Sequence, residues 1–179
     1  LFVGQLDPQS TAAVGVAYSA MALLQAISFF FGHGSGNYIS RQLGARNYEA
    51  AERMAATGFF SALLAGCGIA ALGVAFITPI SRLLGSTPTI LPYTVAYLRV
   101  IFLGAPFLIG AFVLNNQMRF QGSASISMVG IMTGAVLNVV LDPVLIFGLK
   151  MGVAGAAWAT SIPVVFILPN LLGLAGVEY

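Results

Sequence analysis

Charged side chains are scarce in this sequence. Among 179 residues there are seven Lys and Arg and five Asp and Glu, 7% in all, where a soluble domain carries roughly 25%. So few charges cannot cover the surface of a water-soluble protein of this length. The formal net charge of +2 is too small to suggest a nucleic-acid partner. A single cysteine, Cys67, rules out an internal disulfide; inside its apolar run it reads as a small filler facing lipid or a neighbouring helix. A single histidine rules out a His-rich metal site. No nucleophile, base and acid come together in the pattern, which leaves an intramembrane enzyme without machinery. The chain starts at Leu1 with no methionine and no basic n-region, so no signal peptide is expected, and it reads as a piece of something longer.

Apolar residues dominate instead: 59% of the chain, with a mean hydropathy of +0.96. The bilayer is the natural solvent for such a composition. Five stretches are long enough to cross it, at 12–38, 55–78, 88–118, 126–149 and 153–175. Residues 1–6 read as the end of an earlier span, with "DPQST" as a short turn after it. The expected fold is an all-α integral membrane bundle, with residues 1–179 forming one transmembrane domain. In the polar loop 40–53, Asn47 is placed to cap a short helix with Glu49 in its first turn. Thr87 and Pro88 read as cap and first residue of the third span. Pro163 and Pro169 are expected to bend the fifth. Arg41, Arg46, Arg53 and Arg119 fall in loops on one side, Arg82 and Lys150 on the other, which puts loops 40–53 and 119–125 in the cytoplasm. Arg99, well inside the third span, is long enough to snorkel to the second side.

The chemistry concentrates in "LNVVLDPVLIFG". An acidic side chain deep in a membrane costs about 2.5–3.5 kcal/mol on insertion scales, so Asp142 demands a reason. A carboxyl there can take up and release a proton, or exchange it for a bound cation such as Na⁺. The local alternative is a helix-end residue or a structural hydrogen-bonder. Asn138 lies one turn before it, and Gly134 and Gly130 continue the row at the same spacing. Such a small, polar stripe suits a close helix partner or a cavity. Pro143 has no N–H and frees a carbonyl near Val139; it reads equally as a plain kink.

Other polar residues are more ambiguous. Asn115 and Asn116 stand near the end of the third span, as buried amides or as helix-end groups. Thr160 and Ser161 fall in "GAAWATSIP", where hydroxyls commonly bond back to their own helix. "FGHGSGNY" misses nucleotide-loop spacing; its Gly32 and Gly36 read as close helix packing, with His33 beside them.

"GSGNYISRQLGARNYEAAER", "YLRVIFLGAPF", "LNVVLDPVLIFGL" and "GVAGAAWATSI" together resemble the multidrug and toxic compound extrusion (MATE) family of cation-coupled efflux antiporters. The resemblance covers residues 1 to about 162. It implies a two-lobe, twelve-helix transporter, of which this chain is the amino-terminal lobe without most of its first helix. That helix carries an aspartate in the family, upstream of this sequence. The resemblance also implies a hydrogen-bonded network in this lobe. Asp142 is its carboxylate, Asn138 stands one turn before, Thr160 comes from the sixth helix, and Asn115 is the fourth-helix amide, with Asn116 a rival by one place.

The implied activity is export of small organic cations or amphipathic drugs across the prokaryotic inner membrane, coupled to H⁺ or Na⁺, with no other cofactor. Its partners would be membrane lipids and the missing second lobe. A lipid-linked sugar exporter of the same superfamily would want more Arg and Lys in its cavity, and only Arg99 is a candidate. A fragment that packs without transporting is the remaining alternative.

Overall fold

A computed structural model describes residues 7–175, with side chains as far as Pro163. Six α-helices follow one another: α1 (Pro8–Gly44), α2 (Tyr48–Ala75), the short α3 (Ile77–Leu83), α4 (Leu91–Phe120), α5 (Ala124–Pro143) and α6 (Gly152–Ala175). Between α5 and α6 a π-helical turn covers Val144–Gly148. Among the described residues, four helical segments are long and apolar enough to cross a membrane: Pro8–Gly44, Tyr48–Ala75, Leu91–Phe120 and Ala124–Gly148. The 24-residue α6 is about 36 Å long at 1.5 Å per residue, enough for a fifth crossing. The expected remnant of an earlier span at 1–6 lies outside the described residues.

Helix ends depart from the sequence reading where capping outweighs hydropathy. "DPQST" is not a turn: Asp7 is the N-cap of α1, accepting a hydrogen bond from the Ser10 amide, and Pro8 is the first helical residue. The missing N–H of Pro8 falls where no helical partner exists anyway. Asn47 does cap a helix, with Oδ1 3.3 Å from the Ala50 amide, but the helix is α2 itself rather than a short separate one. The third long helix starts at Leu91 with Pro92 in its first turn, not at Thr87–Pro88. The segment before it contains α3, whose Ser81 hydroxyl bonds to the Ile77 carbonyl at 2.7 Å; hydropathy alone gave no sign of this helix. The fourth span holds together through Pro143 by widening. The missing proline N–H is followed by an i→i+5 bond from the Leu149 amide to the Val144 carbonyl, 3.0 Å. The α5–α6 turn closes with Lys150 and Gly152 at φ 53° and 57°.

The core gathers around α4, which packs against α1, α2 and α6 and more lightly on α3 and α5. Leu98, Ile101, Ala105, Ile109 and Val113 are buried along it. Two glycines allow close approach of backbones. A Cβ on Gly66 of α2 would lie 2.7 Å from the Pro106 Cα, and one on Gly155 of α6 would lie 2.8 Å from the Leu145 carbonyl oxygen of the π-turn. Gly32 and Gly36 take up the side chains of Asn116 and Phe120, where α1 meets α4. By contrast α5 shows most of its surface: Val129, Met132, Val136, Val139 and Val140 are exposed.

Candidate functional site

Four residues meet where α4, α5 and α6 converge. On α5, Gly130, Gly134, Asn138 and Asp142 are all half-buried, while most of the intervening residues are exposed. The row at i, i+4 is thus the side of α5 turned toward the protein. Asn138 donates from Nδ2 to the Ala159 carbonyl of α6 at 3.0 Å, and the same nitrogen lies 3.5 Å from Thr160 Oγ1. The Thr160 hydroxyl itself donates back to the Ala156 carbonyl at 3.0 Å. The local habit of a membrane threonine and the inter-helix contact therefore coexist.

Tyr97 completes the cluster from α4. It is 4% exposed. Its hydroxyl lies near enough to the Thr160 hydroxyl and the Asp142 carboxylate to interact with both electrostatically, and it donates to the Met21 sulfur of α1 at 3.6 Å. Tyr97 is not among the residues that the sequence pattern singles out. The available signal was that a tyrosine buried mid-helix needs a partner for its hydroxyl.

Asp142 stands one turn beyond Asn138, half-buried, and no described residue donates a hydrogen bond to its carboxylate. A carboxylate with no donor among the described residues keeps its lone pairs available for a proton or a cation. Groups of three or more His, Cys, Asp or Glu fit to hold a metal are absent among the described residues. A hard cation here would draw its remaining oxygens from neutral groups, such as the Asn138 amide, the Thr160 hydroxyl and main-chain carbonyls.

Asn115 is placed elsewhere. It is buried, its Nδ2 donates to the Ser127 carbonyl at 2.9 Å, and the Ser127 hydroxyl returns a 3.3 Å bond to the Asn115 carbonyl. Ser127 lies in the first turn of α5 and Asp142 near its end, roughly 22 Å apart along the helix. Asn115 thus ties α4 to α5 at the opposite end from the carboxylate. Asn116 bonds to its own helix at the Phe112 carbonyl, 2.8 Å. The third residue of that run, Gln117, was not singled out in the sequence. It is 1% exposed and bridges α4 to Ser35 of α1 (2.9 Å) and to the Ala55 carbonyl of α2 (3.2 Å). His33 is exposed at the same end, edge-on to Phe29 and Phe120. Arg99 is exposed too. Two residues from Tyr97, it leaves the helix roughly 200° away from the cluster.

Comparison with known proteins gives one consistent pattern. The MatE family model matches residues 1–144. Multidrug export protein MepA of Staphylococcus haemolyticus is 38% identical over 162 residues, covering 90% of this chain and 36% of that protein. MepA of Staphylococcus aureus (strain MRSA252) is 36% identical over the same length. The inward-facing conformation of a multidrug resistance MATE family transporter superposes with a TM-score of 0.93 at 30% identity, covering 99% of this chain and 40% of that one. A MOP superfamily transporter from Pyrococcus furiosus gives 0.92 at 30% identity, covering 99% and 39%. The chain spans a little over a third of the length of the curated relatives it matches.

Proposed function

The chain belongs to the MatE family, and on that premise we propose that it forms most of one lobe of a cation-coupled antiporter, which exports organic cations and amphipathic drugs through the prokaryotic plasma membrane. It is an all-α integral membrane protein, and the relatives it matches are export proteins and transporters rather than enzymes. A second lobe, of comparable size to judge by the length of those relatives, completes the transporter in this reading.

The observation that carries the proposal is the convergence of Asn138, Thr160 and Tyr97 near the Asp142 carboxylate, which takes no hydrogen bond from any described residue. In this reading Asp142 binds H⁺ or Na⁺ from one side of the membrane and releases it to the other. Asn138 and Thr160 hold α5 against α6 beside it, and Pro143 with its π-turn lets that end of α5 repack. Such wide turns recur at functional sites. Loading and unloading the carboxylate changes the charge between three helices, and that bias selects between inward-open and outward-open states. Asn115 takes a supporting part, holding the far end of α5 to α4. The drug is then a cation with an apolar body, suited to a cavity with one acidic group and aromatic walls.

The test is Asp142→Asn in the full-length transporter, reconstituted in vesicles loaded with a fluorescent organic cation. The amide keeps the shape and removes the titrating group. Cation-driven efflux should fall to background while the protein remains folded. Efflux at the parent rate at every pH and Na⁺ concentration removes Asp142 from the coupling.

A further inference from the structure

Arg99 and the groove beside it take no part in the polar cluster. The guanidinium is exposed and has no hydrogen-bond or ion-pair partner among the described residues. It lies roughly 12 Å from the first residue of α4. A cation this far inside a spanning helix needs a counter-charge or a path to the headgroups. One turn on, Leu103 continues the same row, and Phe107 follows a turn later; both are exposed. With Trp158 and Ile162 of α6 they line a groove of about 360 Å³. Gly104 forms its floor, since a Cβ there would sit 3.0 Å from the Ser161 hydroxyl. Ser161 and its neighbour Thr160 thus point to different sides of α6, one to the groove and one to the cluster.

We propose that this groove binds an anionic phospholipid, with the phosphate on Arg99 and an acyl chain along Leu103, Phe107 and Trp158. Three features select that occupant. The planar guanidinium fork matches phosphate oxygens. The groove walls are apolar, as an acyl chain requires. Arg99 and Phe107 are about 12 Å apart along α4, comparable to the depth of one leaflet in a hydrocarbon core of about 30 Å. The proposal needs only that the chain spans a bilayer, and it stands or falls independently of the efflux reading.

Trp158 is the sole tryptophan of the chain and reports on the groove directly. The protein is reconstituted in phosphatidylcholine bilayers containing increasing fractions of brominated phosphatidylglycerol or, in parallel, brominated phosphatidylcholine. Bromine quenches indole fluorescence on contact. Half-maximal quenching should need about fivefold less of the anionic lipid, the preference that one Arg near the surface confers. Arg99→Gln should abolish the difference and Arg99→Lys should weaken it, because an ammonium lacks the guanidinium fork, so an undiminished preference in the lysine variant overturns the proposal if the glutamine variant fails to fold. Glycerol phosphate without acyl chains should not compete. Equal quenching by both lipids in the parent, or an undiminished preference in folded Arg99→Gln, overturns the proposal. So does a Trp158 that neither lipid quenches, because a protein surface then covers the groove.

Discussion

The side-chain amide of Asn138 reaches from α5 to the main-chain carbonyl of Ala159 on α6, 3.0 Å away. This bond fastens α5 to α6 one turn before Asp142. Its acceptor is a backbone atom, so the contact depends on how α6 is placed and not on which side chain it carries at 159.

Asn138→Ala is expected to lower unfolding stability by about 0.5–1.5 kcal/mol, the usual net worth of one such bond. Thermal unfolding in detergent measures it. A variant as stable as the parent would show that the Asn138 bond contributes nothing to holding α5 on α6.

Gly155→Ala should cost about 1–3 kcal/mol, because the new methyl meets the Leu145 carbonyl at 2.8 Å and backbone on both sides resists moving. Gly68→Ala on α2 meets nothing within 4 Å and should raise stability by up to about 1 kcal/mol through helix propensity. The pair, compared in the same unfolding assay, separates close approach from propensity.

Gln117→Leu removes two bonds from one buried amide and leaves the Ser35 hydroxyl and the Ala55 carbonyl facing an apolar group. A loss of about 1–3 kcal/mol is expected. Proteolysis should become faster at the end of the bundle where α1, α2 and α4 meet, with cleavage sites mapped by mass spectrometry.

Asp7 supplies the pH dependence. Hydrogen bonding from the Ser10 amide holds its carboxyl below the ordinary value of 3.8. The sign follows from that depression: the cap contributes fully above the unfolded-chain pKa and is lost as pH falls through the lower folded value. The protection of the Ser10 amide against exchange, relative to its intrinsic rate at each pH, should persist down to about pH 4 and be lost only below it. In Asp7→Ala the protection should be low at every pH.

What the sequence determined by itself follows from the cost of burying charge. With 7% charged residues and five long apolar runs, the chain had to be a helical membrane bundle, since helices satisfy their own backbone in lipid. Asp142 and Asn138 could be placed on one face because helical period relates residues of the same element. Tertiary structure decided everything that depends on distances between elements. It brought Tyr97 beside Thr160 and Asp142, sent Asn115 to Ser127 at the other end of α5, and made Gln117 a bridge among three helices. Residues of similar chemistry, such as Asn115 and Asn138, look alike in sequence. Only the rotation and offset of packed helices, fixed by close contacts such as Gly155 on Leu145 and Gly66 on Pro106, determine which of them bonds to α6 one turn from Asp142 and which bonds at the far end of α5.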